Sequence, residues 1–109
     1  MIELTEAAAK QIRESARQGQ LEGMALRIAV RETPEGGFDY AMGFDEPAEQ
    51  DLQVSTRGIN VLVDPSSQGL LSGTRVDYVE LSPGEHHFIF LNPNDPSYVP
   101  PDRSSGDSG

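Results

Sequence analysis

The sequence contains no cysteine. This absence excludes disulfides, thiolate zinc sites, thiol nucleophiles and cysteine-ligated iron–sulfur clusters within a single chain. A cysteine-free chain survives in oxidising and in reducing compartments alike, so the redox compartment stays open.

Basic residues are scarce as well. The chain has 8 Lys and Arg against 18 Asp and Glu, a formal net charge of −10 over 109 residues. Such a chain lacks the basic footprint of a nucleic-acid-binding protein and is repelled by anionic membranes. We therefore predict neither a nucleic-acid nor a membrane partner. The acidity serves solubility, or it offers an acidic surface to a basic partner.

Long apolar runs are also missing. The first residues lead directly into a helical pattern, so we expect no signal peptide, no spanning helix and a cytoplasmic location. The length suits one small domain. We predict a folded domain over residues 1–95, followed by a disordered tail over 96–109 that is rich in Pro, Ser and Gly.

The residues that are present predict an α+β fold. Thr5 is a suitable N-cap for an alanine-rich helix that reaches Gln18, with Gly19 as its stop. Asp64 and Pro65 open a second, short helix. Alternating patterns predict strands over 24–31, 38–44, 52–55, 59–63, 74–81 and 87–91. We expect a mixed or antiparallel β-sandwich, or a flattened barrel of short strands, with the first helix against one face.

The two longest predicted strands meet at a tight corner. Pro34-Glu35-Gly36-Gly37 is turn chemistry, because Pro fixes φ and the two glycines allow positive φ. The tip of this hairpin presents a carboxylate, that of Glu35.

The order of these segments resembles the A-type iron–sulfur carrier family (HesB/IscA-like). The resemblance spreads over nearly the whole chain and ends in the triplet Asn92-Pro93-Asn94. It is carried by the helix start at 4–8 and by residues 26–31, 37–40, 44–47, 58–64, 70–79 and 88–94. It implies a HesB-like fold and a role in iron–sulfur cluster assembly.

The resemblance also implies three cluster-binding cysteines, one at the corner and two after the Asn-Pro-Asn triplet. In this chain those positions fall at Glu35, Val99 and Pro101. Val and Pro side chains cannot ligate iron, so we predict a degenerate, non-enzymatic member that holds no cysteine-ligated cluster. It would act as an interaction or accessory factor, and its partner would be a second copy of itself or a cysteine-bearing A-type carrier.

A different class of function is a small-ligand or hard-metal module that reuses the vacated pocket. Glu35 and Tyr40, with Asp39 nearby, are the candidate oxygen ligands for iron. Alternatively, Glu35 is a solvated turn carboxylate and Tyr40 is part of a strand core. His86 and His87 are adjacent in a strand and point to opposite faces, which prevents them from chelating one metal together. No motif predicts catalysis.

Overall fold

The computed structural model describes residues 2–98. The predicted tail covers residues 96–109, and its part from residue 99 onward, including Val99 and Pro101, lies outside the described residues. The elements in chain order are β1 (Glu3–Leu4), α1 (Glu6–Gln18), β2 (Ala25–Glu32), β3 (Phe38–Asp45), β4 (Leu52–Thr56), β5 (Ile59–Val63), α2 (Pro65–Gln68), β6 (Arg75–Ser82) and β7 (Glu85–Leu91).

Helix α1 forms as predicted and is capped at both ends. The Thr5 side chain accepts a hydrogen bond from the Ala8 N–H at 3.1 Å, which satisfies one of the free donors of the first turn. Gly19 is the C-cap, which confirms it as the stop of the helix, and the left-handed residue that follows it is Gln20 (φ 58°). A Cβ at Gly19 would lie 3.3 Å from the Leu21 side chain, a tight contact to which that side chain would have to adjust. The Leu21 N–H closes the end on the Ala16 carbonyl at 2.7 Å.

The four-stranded sheet has the order β3-β2-β5-β4 and forms the centre of the fold. Strand β2 pairs antiparallel with β3 and parallel with β5, and β5 pairs antiparallel with β4. Side chains along each strand point alternately to the two faces of the sheet, and those that point to one face are apolar. The fully buried residues of this face are Ile28, Val61 and Val63. Helix α1 covers the core with its buried stripe of Ala8, Ala9, Ile12 and Ala16.

The second sheet has three strands in the order β1-β6-β7. Strand β1 pairs parallel with β6, while β6 and β7 form an antiparallel hairpin. Leu4 and Val76 bring this sheet into the same core, and both are completely buried. The described residues thus form two separate sheets, each with parallel and antiparallel pairs, and not the barrel that was one of the two expected arrangements.

An arginine fastens the acidic loop between β3 and β4. Arg27 on β2 donates two hydrogen bonds to Asp51, at 2.8 and 2.6 Å, and a third to Asp45 at 2.7 Å. The Asp51 side chain is only 2% exposed. The guanidinium and the Ala48 N–H lower the pKa of Asp51 from 3.8 to about 2. Because Arg27 bonds both Asp45 and Asp51, it connects the two ends of a loop that Pro47 keeps out of the sheet.

Within residues 2–98, no helix is long and apolar enough to cross a bilayer. The longer of the two helices has 13 residues, whereas a spanning helix needs about 20 apolar residues.

Candidate functional site

The corner that carries Glu35 is a closed turn at the tip of the β2–β3 hairpin. The Thr33 N–H donates to the Gly37 carbonyl at 2.8 Å, and the Gly36 N–H donates to the Thr33 carbonyl at 2.9 Å. Gly36 has φ +92°, but Gly37 does not adopt positive φ, so only one of the two glycines serves the turn as expected. Glu35 is exposed, and no hydrogen bond or ion pair among residues 2–98 involves its side chain. The corner therefore presents a solvated carboxylate.

Tyr40 lies further along the same hairpin and faces the interior. It pairs with Val30 across the sheet, and its ring stacks on Phe90 of β7 at 4.5 Å between centroids and 1° between planes. This contact joins the two sheets. The Tyr40 hydroxyl donates a 2.7 Å hydrogen bond to Asp95 and accepts one of 3.3 Å from Asn92. Burial, together with the Asp95 hydrogen bond, raises the pKa of Tyr40 to about 12.

The Asn-Pro-Asn triplet works as a latch between the end of β7 and the loop after α2. Asn92 is completely buried, and its amide donates to the Leu70 carbonyl at 2.8 Å. The Asn94 amide donates to the carbonyls of Leu70 and Ser72, at 3.1 and 2.8 Å. The Asn94 N–H donates to the Asn92 side chain at 2.9 Å. The buried amide of Asn92 and the exposed amide of Asn94 thus hold the end of β7 against the loop after α2.

Asp95 continues this latch and was not predicted to take part in the site. One carboxylate oxygen accepts from Tyr40, and the other accepts from the N–H and the hydroxyl of Ser97 at 3.0 and 2.8 Å. The Ser97 N–H and the Tyr40 hydroxyl hold the pKa of Asp95 below its ordinary value. The local turn could have been predicted from Asp95-Pro96-Ser97, because an Asp that precedes Pro-Ser commonly bonds its own backbone. The pairing with Tyr40, 55 residues away, leaves no local signal.

The structure does not join the predicted iron ligands through a hydrogen bond. The Tyr40 hydroxyl bonds Asp95 and Asn92, while Glu35 stands in solvent at the turn. Asp39 is exposed and pairs with Arg31 at 3.5 Å on the outer face of the hairpin. Within residues 2–98, no group of three or more His, Asp or Glu side chains is arranged to hold a metal ion. The nearest oxygen partner of Tyr40 is therefore Asp95, and Glu35 remains a candidate on sequence grounds.

The two histidines lie on the exposed β6–β7 hairpin. His86 pairs with Glu80 and stacks on Tyr78 at 5.5 Å, whereas His87 pairs with Val79. As expected for adjacent residues in a strand, they belong to opposite faces. Both are exposed.

The described residues thus combine a long hairpin with an exposed carboxylate at its corner, a latch anchored by the buried Asn92, and two small sheets with one helix against them. The family model for iron–sulphur cluster biosynthesis matches residues 1–94 of this chain. The chain therefore belongs to the iron–sulphur cluster biosynthesis family, and the resemblance noted in the sequence is confirmed.

Curated relatives agree with this assignment. The iron–sulfur cluster insertion protein ErpA of Xanthomonas campestris is 39% identical over 94 residues, which cover 85% of this chain and 73% of that protein. ErpA of Xanthomonas euvesicatoria is 42% identical over 89 residues, covering 81% of this chain and 69% of the relative.

Solved structures show the same fold. A crystal structure of IscA with the [2Fe-2S] cluster superposes with a TM-score of 0.74 at 33% identity, covering 85% of this chain and 86% of that one. The crystal structure of SufA of Escherichia coli, described as involved in biosynthesis of iron–sulfur clusters, superposes with a TM-score of 0.72 at 30% identity. The match covers 92% of this chain and 87% of that one. The predicted α+β fold class is thus confirmed.

The donor set of this chain does not fit the cluster that the family implies. Iron–sulfur clusters are held by soft thiolates, and the sequence contains no cysteine. At the corner of the hairpin, the structure has the hard carboxylate of Glu35. The family fold is retained, whereas the thiolate chemistry is absent from every position of the chain.

Proposed function

We propose that this protein is an accessory factor of iron–sulfur cluster assembly that acts through protein interaction and does not hold a cysteine-ligated cluster itself. The observation that carries the proposal is the combination of an intact carrier fold with a cysteine-free sequence. The core, the hairpin and the Asn92 latch of the family fold are all present, although the chain has no cysteine with which to hold a cluster. A surface that still recognises partners of the family would explain why this fold is kept without the cluster.

The partner that we propose is a cysteine-bearing A-type carrier or a second copy of this chain. A subunit without thiolates that pairs with a carrier would leave that carrier with fewer cluster ligands at their interface. Such pairing would change the rate at which the carrier passes its cluster to an acceptor. Non-enzymatic action and a cytoplasmic location are parts of the same proposal.

Native mass spectrometry of the purified protein, mixed with a cluster-loaded carrier of the family, tests this function. We expect a complex that contains one copy of each chain, and a changed rate of cluster transfer to an apo-ferredoxin. An acidic protein of similar net charge, added instead, controls for non-specific effects of charge. The absence of a mixed complex, together with an unchanged transfer rate, would overturn the proposal.

A second candidate function is the binding of ferric iron by oxygen ligands. The proximity of the Tyr40 phenol and the Asp95 carboxylate, with 2.7 Å between their oxygens, supports it, and Glu35 on the same hairpin is a further oxygen donor. Phenolate and carboxylate are hard ligands that suit Fe(III). Titration with ferric citrate should then produce a visible phenolate-to-iron absorption that Tyr40→Phe abolishes and Glu35→Ala weakens. An unmutated protein without this absorption would eliminate the candidate.

A further inference from the structure

A surface groove runs beside α1, on the side of the fold formed by the helix, the start of β2 and the β4–β5 turn. Its volume is about 640 Å³, within the range of roughly 300–1,000 Å³ that is typical of ligand clefts. Its apolar lining is formed by Ile12, Ala16, Met24, Phe44 and Ile59. We call this feature the α1 groove.

The rim of the α1 groove is basic. Lys10, Arg13 and Arg17 line it and follow one another along the same side of the helix at spacings of three and four residues. Two carboxylates, Glu14 and Glu22, also line the groove. Three cations against two anions make the groove positive on balance, whereas the whole chain carries −10.

Most arginines in the described part of the chain are neutralised by a carboxylate. Arg27 bonds Asp45 and Asp51. The other pairs within 4 Å are Arg17 with Glu14, Arg31 with Asp39, and Arg75 with Glu3. This is the expected outcome in a chain with more than twice as many acids as bases.

Three basic residues among residues 2–98 have no carboxylate within 4 Å: Lys10, Arg13 and Arg57. They gather at one place. Arg13 donates to the Arg57 carbonyl at 3.0 Å, and Gly58, the next residue, lines the groove. Arg57 itself donates to the Leu4 carbonyl at 3.0 Å. In an acidic protein, cations without a carboxylate within 4 Å, placed beside an apolar groove, are complementary to a ligand that is both acidic and apolar.

We infer that the α1 groove binds an acidic, amphipathic segment of a partner protein. Apolar side chains of the segment would fill the space above Ile12 and Met24, and its carboxylates would reach Lys10 and Arg13. The choice of a protein segment over a small molecule rests on the proposed function, which is interaction with other proteins. The net charge of −10 adds selectivity, because an acidic segment is repelled by the protein as a whole and is attracted to cations that have no carboxylate within 4 Å.

Fluorescence anisotropy with a labelled synthetic peptide of Glu and Leu in amphipathic order tests this inference. A peptide of the same length, with Ser in place of Leu, removes the apolar contribution. We expect the Glu/Leu peptide to bind saturably and the peptide with Ser in place of Leu not to do so. The affinity should fall as salt rises from about 0.1 to about 1 M, because the Debye length shortens from about 10 to about 3 Å.

Two double charge reversals with the same net charge locate the site. Lys10→Glu/Arg13→Glu should weaken binding at least about tenfold, while Arg31→Glu/Arg75→Glu, outside the groove, should leave it within about twofold. Thermal unfolding checks that each variant is folded. If Lys10→Glu/Arg13→Glu does not fold, Met24→Gln is the second test, and it should also weaken binding.

Two results would overturn the inference: the Glu/Leu peptide fails to saturate, or the control pair Arg31→Glu/Arg75→Glu weakens it as much as the groove variant. Failure here is distinguishable from failure of the proposed function. A carrier complex that still forms, with no peptide bound, refutes the groove alone. Peptide binding without any carrier complex refutes the proposed function and supports the groove.

Discussion

The Tyr40 hydroxyl donates a 2.7 Å hydrogen bond to the Asp95 carboxylate across 55 residues of chain. This bond connects the hairpin that carries the Glu35 corner to the segment that follows the Asn92 latch. In the resemblance to the family, the same two parts of the chain supply the cluster ligands. The bond therefore ties the β2–β3 hairpin to the segment that follows the latch.

Removing this hydrogen bond should destabilise the protein. Tyr40→Phe keeps the stack on Phe90 and loses only the hydroxyl, so we expect a decrease of about 1 kcal/mol in the free energy of unfolding. Urea unfolding of Tyr40→Phe, Asp95→Ala and the double variant gives the coupling energy. The cycle cancels the Ser97 contacts that Asp95→Ala also removes. A coupling energy near zero would contradict a contribution of this bond to stability.

The same bond predicts a loss of stability at high pH. Burial and the Asp95 hydrogen bond raise the pKa of Tyr40 from 10.0 to about 12, so the folded state favours the neutral phenol. The contribution of the phenol is fully present below about pH 10 and is lost as the pH rises towards 12. The stability difference between the unmutated protein and Tyr40→Phe should shrink over this interval. A difference that stays constant with pH would show that the phenol titrates equally in both states.

The Arg27–Asp51 pair predicts a loss of stability in acid. The guanidinium lowers the pKa of Asp51 from 3.8 to about 2, so the folded state favours the carboxylate. That contribution is present above about pH 4 and is lost as the pH falls through 2. In unfolding experiments from pH 5 downward, Asp51→Asn should be less stable at pH 5 and show a shallower acid slope.

Asp39→Asn is the matched control for this prediction. The Asp39 carboxylate also pairs with an arginine, Arg31, but both side chains are exposed, and exposed pairs contribute little. The free energy of unfolding of Asp39→Asn at pH 5 should stay within about 0.5 kcal/mol of that of the unmutated protein. A loss at pH 5 that is no larger for Asp51→Asn than for this control would contradict the proposed role of the pair.

The two glycines at the corner should respond differently to alanine. Gly36→Ala places a side chain at φ +92° and should lower the free energy of unfolding by about 1–2 kcal/mol. Gly37→Ala adds a Cβ 3.5 Å from the Thr33 hydroxyl, an ordinary contact, and should change stability by less than about 1 kcal/mol. Thermal unfolding compares the two. Equal losses would mean that backbone conformation is not what requires Gly36.

Restoring thiolates should restore cluster chemistry. The triple variant Glu35→Cys/Val99→Cys/Pro101→Cys returns the family's ligands to the positions that the resemblance assigns. After anaerobic incubation with ferrous iron and sulfide, we expect visible absorption of a [2Fe-2S] cluster in the triple variant and none in the unmutated protein. The single variant Glu35→Cys is the control, because one thiolate per chain is too few ligands for a stable cluster. A folded triple variant that stays colourless would show that more than the ligands has been lost.

Much of the fold could be predicted because its helices and strands follow from local residue patterns. Thr5 predicts the start of α1, and alternating residues predict β2 to within one residue at each end. Gly19 ends α1 as predicted, but the left-handed residue that follows is Gln20, which no local pattern indicates. Whether the strands form a sandwich or a barrel depends on pairings between distant segments, and the sequence left both arrangements open.

The site was less predictable than the fold. The exposed turn around Glu35 follows from Pro34 and Gly36, and its carboxylate is visible in the sequence. The partners of Tyr40 and Arg27 were not predicted, because Asp95 and Asp51 lie 55 and 24 residues away. The local sequence around an Asp is the same whether its carboxylate is exposed or bonded to a distant cation or phenol, so neither partner could be read from the acidic loop or from the residues after Asn94.

The parallel pairing of β1 with β6 has a consequence for the order of folding. Strands β2 to β5 lie within residues 25–63 and can pair as soon as that segment has left the ribosome. Glu3 and Leu4 must wait for Arg75 and Val76, since they have no other strand partner in the described chain. The residues of β1 are thus among the last of the described residues to find their strand partner, although they precede the central sheet in the sequence. Until β6 has been synthesised, Leu4 and Val76 cannot close this side of the core.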